Sequence, residues 1–149
     1  MIYLRQYLDP AYVVLLEEEN KEDVLNRLID SLVTSPNILD KETFRKEVFK
    51  REGIISTGIG LGIAIPHVKI KEVKDITICV GVSRKGIEWG ALDNQPVHIV
   101  FLIAGNAGQH ELYLRLLSKI VLVLKNAARR NKIIQAKNGK DVLDLFTNL

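Results

Sequence analysis

Two apolar segments, residues 76–83 and 97–104, constrain the fold of this chain more than any other feature. They read ITICVGVS and VHIVFLIA, and both are almost continuously apolar instead of alternating between apolar and polar residues. Strands with this composition are covered by other elements on both faces. The two segments therefore predict a central β-sheet with helices packed against each side.

Helical patterns surround these segments. Apolar residues recur at helical spacing between residues 24 and 32 and again between residues 112 and 124. Asn20 and Asp40 are residue types that cap helices, and each precedes a helical stretch. We expect the second helix to end near residues 50–51, with Gly53 just beyond its C-terminus. Shorter helices are predicted at residues 127–136 and 140–146, and short strands at residues 12–16 and 63–65.

The order of predicted elements is β-α-α-β-β-β-α-α-α, without a regular βαβ alternation. This order predicts an α/β fold in which a mixed β-sheet is sandwiched between helical layers, an α/β/α arrangement. The length of 149 residues suits a single domain over residues 1–149.

Composition narrows the possible functions. The net charge of +3 is small and the basic residues are scattered, so we expect no nucleic-acid partner. No apolar stretch reaches membrane-spanning length and no signal peptide is recognisable, which predicts a cytoplasmic protein without direct membrane insertion. The single cysteine, Cys79, lies in an apolar strand and is expected to be a core residue. The three histidines lack the spacing of a zinc site, so we expect no metal or organic cofactor.

A glycine-rich segment precedes the most informative residue of the chain. Residues 54–66 read IISTGIGLGIAIP, with Gly58, Gly60 and Gly62 at every second position. The spacing fits neither the dinucleotide-binding fingerprint nor the P-loop. Glycines let a partner approach the backbone closely, but an ordinary loop would explain them equally well.

His67 follows this segment directly, in a predicted loop after a short strand and Pro66. An isolated histidine is usually structural. The position at a strand end, and a second histidine, His110, at a predicted helix start, favour a functional role instead. His98 lies inside an apolar strand and is predicted to be a structural histidine, and Trp89 is predicted to cover the edge of the core.

Residues 56–67, STGIGLGIAIPH, resemble the active-site signature of a known family. The family comprises the IIA domains of the bacterial phosphoenolpyruvate-dependent sugar phosphotransferase system, in the fructose/mannitol class, including the nitrogen-regulatory IIA proteins. Residues 92–97, LDNQPV, and the segment from His110 to Leu116 are similar to its second and third blocks. The resemblance extends from about residue 2 to residue 149.

The resemblance implies that His67 is phosphorylated by phospho-HPr or a relative of it, and that Arg51 and His110 flank the phosphate. Arg51 precedes His67 by sixteen residues, as in the family. An arginine can bind phosphate oxygens with two parallel hydrogen bonds, and a helix start offers free N–H groups. Ser56 or Thr57 could orient the imidazole, donate to a phosphate oxygen or simply form a turn. Without the resemblance, Arg51 would be interpreted as a helix-end residue and His110 as a solvent-facing one.

Three functions remain open at this point. The first is a phosphotransferase component that carries phosphate on His67 from HPr to the cysteine of a IIB domain during sugar uptake. The second is a nitrogen-regulatory IIA protein, in which phosphorylation of His67 controls binding to regulatory partners. The third is a degenerate domain that only binds, which the joint presence of Arg51, His67 and His110 disfavours.

Overall fold

Six strands and five α-helices make up most of the chain in the computed structural model, which describes residues 2–149. The strands are β1 (Val13–Leu15), β2 (Gly58–Gly60), β3 (Ile63–Ala64), β4 (His67–Ile70), β5 (Thr77–Ile87) and β6 (Val97–Asn106). The helices are α1 (Lys21–Leu32), α2 (Lys41–Ile54), α3 (His110–Leu124), α4 (Ala127–Gln135) and α5 (Gly139–Asp144). Two short 3₁₀ helices, Leu4–Tyr7 and Pro10–Tyr12, precede β1.

All six strands belong to one mixed sheet built around β5 and β6. These two long strands are antiparallel, and β1 pairs in parallel with the outer edge of β5. Strands β3 and β4 lie one after the other along the opposite edge of β6, both parallel to it. Strand β2 pairs antiparallel with β3. The predicted mixed sheet is therefore confirmed, and it places β4 next to the centre of the sheet.

Both faces of the sheet are covered, as the apolar strands predict. Successive residues of β6 alternate between two core clusters: Val100 and Leu102 pack with residues of α1 and α2, whereas Phe101 and Ile103 pack with residues of α3, α4 and α5. This period of two is the geometry of a strand buried on both sides. The α/β/α arrangement is confirmed, and within residues 2–149 no helix is long and apolar enough to cross a membrane.

The helix starts follow the predicted caps. The side chain of Asn20 accepts a hydrogen bond from the backbone N–H of Asp23 at 2.9 Å, and Asp40 accepts one from Thr43 at 3.0 Å. Hydrogen bonds from the backbone N–H and the hydroxyl of Thr43 lower the pKa of Asp40 below its ordinary value. Cys79 is fully buried, and burial raises the pKa of its thiol to about 12. The core role predicted for this cysteine is thus confirmed.

Two predicted boundaries around the glycine-rich segment are wrong. Helix α2 continues to Ile54, so Gly53 lies within its last turn and not beyond its end. His67 lies in a strand, β4, and not in a loop. Pro66 has no N–H and interrupts the ladder after β3, but its carbonyl accepts a hydrogen bond from Ile103 at 2.9 Å and pairing resumes at the next residue. The proline therefore separates two short strands instead of ending the sheet.

Candidate active site

A cavity of about 410 Å³ lies along the edge of β4, between the C-terminal turn of α2 and the start of α3. Its lining includes Arg51 from α2, His67 and Lys69 from β4, and Tyr113 and Leu114 from α3. Within the described residues β4 pairs with β6 alone, so its other edge is open to the two helices. Residues far apart in sequence therefore meet around one histidine.

The orientation of the His67 ring is set by the backbone. Its Nδ1 atom lies 2.6 Å from the carbonyl oxygen of Ile65. A carbonyl oxygen only accepts hydrogen bonds, so Nδ1 carries the proton and donates it. In the neutral ring Nε2 then holds the free lone pair. The imidazole is half-buried and packs edge-on against Tyr113, with 6.0 Å between ring centroids. The geometry therefore leaves Nε2 as the ring nitrogen of His67 that is free of this hydrogen bond.

Arg51 occupies the last turn of α2, half-buried at the wall of this cavity. The structure thus brings together two of the residues predicted to act on one phosphate. Among residues 2–149, no carboxylate lies within ion-pair distance of its guanidinium. Burial raises the pKa of the neighbouring Tyr113 to about 12, and the charge of Arg51 partly opposes that rise. The cavity is also lined by Glu47 and Lys50, so the guanidinium, which is in no ion pair within the described residues, shares it with one carboxylate, other cations and a neutral phenol.

His110 is the first residue of α3, as predicted, and is exposed. It does not line the cavity itself. Its Nδ1 atom contacts the Nζ atom of Lys69, which does. The sequence alone does not single out Lys69, because it predicts that His67 lies in a loop and not in a strand. Once His67 is placed in a strand, the period of two puts residue 69 on the same face, and this signal would have found it.

Ser56 and Thr57 lie outside the cavity lining, and neither hydroxyl contacts the His67 ring. Thr57 is buried, and its Oγ1 atom donates to the carboxylate of Glu52 at 2.8 Å. Ser56 Oγ accepts a hydrogen bond from the N–H of Gly58 at 3.2 Å, the turn role left open above. The expected contact of Thr57 with a phosphate does not fit, since its proton is already engaged.

Glu52 is the centre of a buried polar cluster that sequence reasoning missed. Its carboxylate accepts hydrogen bonds from the Thr57 backbone N–H at 3.0 Å and from Trp89 Nε1 at 3.1 Å. Lys21 Nζ lies 2.7 Å from the same carboxylate. These contacts tie the start of α1, the end of α2 and the glycine-rich segment together. Trp89 is 3% exposed, in agreement with its predicted place at the core edge.

The glycines of residues 58–62 are required by the fold of the segment itself. A Cβ atom on Gly58 would lie 2.7 Å from the Cβ of Ala91, so only glycine fits there. Gly60 and Gly62 have φ values of +98° and +76° and flank Leu61, at +59°, in the turn between β2 and β3. Gly58 and Gly60 are buried, and the space beside Gly58 is filled by Ala91 and Trp89 of the same chain. The approach of a partner to this segment stays a prediction.

His98 has the structural role predicted for it. Its Nδ1 atom lies 2.8 Å from the carbonyl oxygen of Ser83 on the neighbouring strand, and the ring is half-buried. In the part of the chain that the structure describes, no group of three or more histidine, cysteine, aspartate or glutamate side chains could hold a metal ion.

Several known proteins resemble this chain. A fructose-specific EIIABC component from Bacillus subtilis is 32% identical over 131 residues, which is 88% of this chain and 21% of that protein. A fructose-specific EIIA component from Haloferax volcanii is 30% identical over 144 residues, covering 95% of this chain and 94% of the relative. The chain thus spans about a fifth of the first relative and nearly all of the second.

The fold has a close counterpart among solved structures. The nitrogen regulatory protein IIA-Ntr from Neisseria meningitidis superposes with a TM-score of 0.87 at 24% identity, covering 96% of this chain and 98% of that one. A family model described as "Phosphoenolpyruvate-dependent sugar phosphotransferase system, EIIA 2" matches residues 6–149. Because this match spans nearly the whole chain, the protein belongs to the EIIA 2 family of the phosphoenolpyruvate-dependent sugar phosphotransferase system.

Proposed function

We propose that this protein is a cytoplasmic phosphocarrier, in which Nε2 of His67 accepts a phosphoryl group from an HPr-like protein and passes it to the cysteine of a IIB domain. The observation that carries the proposal is the hydrogen bond from His67 Nδ1 to the Ile65 carbonyl, inside a cavity that also contains Arg51. It leaves one nitrogen of His67 with a lone pair, in a cavity that the guanidinium of Arg51 also lines.

The chemistry needs no group beyond these side chains. In the accepting step the Nε2 lone pair forms a bond to phosphorus while the N–P bond of the donor breaks, and the donor imidazole leaves with that electron pair. The His67 ring keeps its Nδ1 proton and becomes positively charged, which strengthens the hydrogen bond to the Ile65 carbonyl. In the passing step a cysteine thiolate forms a bond to phosphorus while the bond from His67 Nε2 to phosphorus breaks. Nε2 keeps that electron pair, and the His67 ring returns to its neutral form.

Arg51 supplies positive charge where the phosphoryl oxygens arrive. Phosphoryl transfer depends mainly on positioning and on neutralising charge. A guanidinium can bind two phosphate oxygens at once, and its half-buried position weakens solvent screening. Tyr113 contributes a neutral edge beside the imidazole and excludes water from one side of it.

The family and the names of its relatives support the proposed partners. The Bacillus subtilis relative is an EIIABC component and the Haloferax volcanii relative an EIIA component, both fructose-specific. These names support a IIB domain as the acceptor and sugar uptake as the process. The similarity to the Neisseria meningitidis IIA-Ntr supports the alternative, in which phosphorylation of His67 controls binding to a regulatory partner.

Incubation with phosphoenolpyruvate, enzyme I and HPr tests the carrier function. We expect wild-type protein to acquire an acid-labile, alkali-stable phosphoryl label. The label should be lost in His67→Ala and kept in His98→Ala, a matched control because His98 has a structural hydrogen bond. Label that survives in His67→Ala would contradict the proposal.

Purified IIB domains separate the two candidate processes. Rapid passage of the label from His67 to a IIB cysteine supports sugar uptake. A stable label that no IIB domain removes, together with a partner that binds only one phosphorylation state, supports regulation.

A further inference from the structure

We infer that Lys69 is a phosphate-binding residue of the His67 cavity, and that His110 is a positioning residue that holds its ammonium group beside the cavity before phosphorylation. This inference rests on the proposed phosphorylation of His67. It adds a phosphate-binding role for Lys69 to a cavity that Arg51 and Lys50 also line. It assigns His110 an action through Lys69 instead of directly on the phosphate.

The backbone places Lys69 beside His67. The two residues are the first and third of β4, so their side chains leave the same face of the strand. Val68, between them, points the opposite way into the core formed with α1 and α2. Both His67 and Lys69 line the cavity, together with Arg51.

The ring of Tyr113 connects the two side chains. It lies 6.0 Å from the His67 ring centroid and 5.7 Å from Lys69 Nζ. This close packing needs Gly105, the β6 partner of Lys69, because a Cβ atom there would lie 2.4 Å from the tyrosine ring. The fold therefore leaves room for the Tyr113 ring, which packs against both the Lys69 ammonium group and the His67 imidazole.

The described contacts of Lys69 include no ion pair, although Glu47 lines the same cavity. Its Nζ atom contacts His110 Nδ1 and the face of Tyr113, and among residues 2–149 no carboxylate lies within ion-pair distance of it. An ammonium group only donates, so Nδ1 of His110 accepts and this imidazole is neutral. Because both contacts of Lys69 are with neutral groups, its ammonium group can exchange them for a stronger hydrogen-bond acceptor.

A phosphoryl group on His67 is such an acceptor, because it brings nearly two negative charges and three oxygens. The flexible four-carbon chain of lysine lets Nζ exchange its hydrogen bond with His110 for one to a phosphoryl oxygen. No covalent step involves Lys69: the bond to phosphorus forms at His67 Nε2, and the ammonium keeps its protons. Lys69 and Arg51 then neutralise the phosphoryl group from β4 and from α2.

The first test compares Lys69→Met with Lys69→Arg and with Lys71→Met, a matched control whose lysine is exposed just beyond β4. Each variant is phosphorylated by HPr and, separately, by phosphoramidate, a small N–P donor without a protein surface. We expect Lys69→Met to slow labelling about tenfold with both donors, the effect of one lost charge-assisted hydrogen bond, and Lys69→Arg to restore most of the rate. Lys71→Met should match wild type.

Two results of this comparison would overturn the inference. If Lys69→Met is labelled more slowly than wild type by HPr but at the wild-type rate by phosphoramidate, Lys69 contacts the donor protein and not the phosphate. Unchanged labelling by both donors would remove Lys69 from the site.

A second test does not depend on phosphoryl transfer. Inorganic phosphate is added while the ¹⁵N resonances of the His110 ring are followed by NMR. We expect the Nδ1 resonance to shift in wild-type protein as Lys69 turns to the anion, and to stay unchanged in Lys69→Met. No shift in wild type overturns the inference. A shift in a wild-type protein that no donor labels would support the Lys69 site while the proposed carrier function fails.

Discussion

His67 Nδ1 donates to the backbone carbonyl of Ile65 at 2.6 Å, so the chain immediately before the histidine selects its tautomer. From this relationship we predict that the phosphoryl group resides on Nε2. A protein labelled with ¹⁵N-histidine and then phosphorylated should show the phosphorus-linked nitrogen to be Nε2, while Nδ1 stays protonated. Phosphorus on Nδ1 would require the hydrogen bond to break and would contradict this assignment.

Substitution of Arg51 by lysine should slow phosphorylation of His67 by about tenfold, because lysine keeps the charge but loses the paired donors. The rate of labelling by phosphoramidate measures the effect without a protein donor. Arg45→Lys is the control, since Arg45 is on the same helix but bonds Asn26 at 2.6 Å, away from the cavity. Equal rates for Arg51→Lys and Arg45→Lys would remove the guanidinium from the mechanism.

The buried carboxylate of Glu52 should matter for stability. Glu52→Ala leaves the donors of Thr57 and Trp89 without their acceptor and Lys21 without its charge partner, and we expect a loss of about 3 kcal/mol in the free energy of unfolding. Glu111→Ala removes an exposed ion pair with Arg115 and should cost less than about 1 kcal/mol. Denaturant unfolding followed by Trp89 fluorescence measures both, and similar losses would argue against the cluster.

Asp40, the N-cap of α2, should make the free energy of unfolding depend on pH in the acid range. Because its pKa is lowered in the folded state, Asp40 contributes stability above its ordinary value of 3.8, and this contribution is lost as the pH falls through the lowered value. Wild type should therefore lose unfolding free energy relative to Asp40→Asn as the pH is lowered from 7 to 3. Asn126→Ala, which removes an uncharged cap of α4, should cost the same at both pH values. A wild-type advantage over Asp40→Asn that stays constant would refute this prediction.

Much of the fold follows from local patterns in the sequence. The apolar strands predict a sheet covered on both faces, and Asn20 and Asp40 mark helix starts through hydrogen bonds that involve only neighbouring residues. Such signals are local, so one sequence is enough to read them. The predicted end of α2 is wrong because Gly53 resembles a helix terminator, whereas the helix continues to Ile54.

The candidate site could be predicted only in part, because the contacts that form it join residues that are distant in the sequence. His67, Arg51 and His110 were found through a resemblance of motifs, and the structure puts His67 and Arg51 on one cavity, with His110 beside it. Lys69 was hidden because Pro66 signals the end of a strand, and only the pairing of β4 with β6 shows that the strand resumes. The Glu52 cluster joins residues 21, 52, 57 and 89, and no local pattern connects positions so far apart.

Arg51 and Glu52 are successive residues of one helical turn, so their side chains project about 100° apart from the same rigid backbone. One reaches the cavity and the other is anchored to the indole of Trp89. A rotation of this turn that withdrew the guanidinium would also pull on the indole N–H. The fluorescence of the single tryptophan, Trp89, should therefore report a movement of Arg51 at the cavity without any added label.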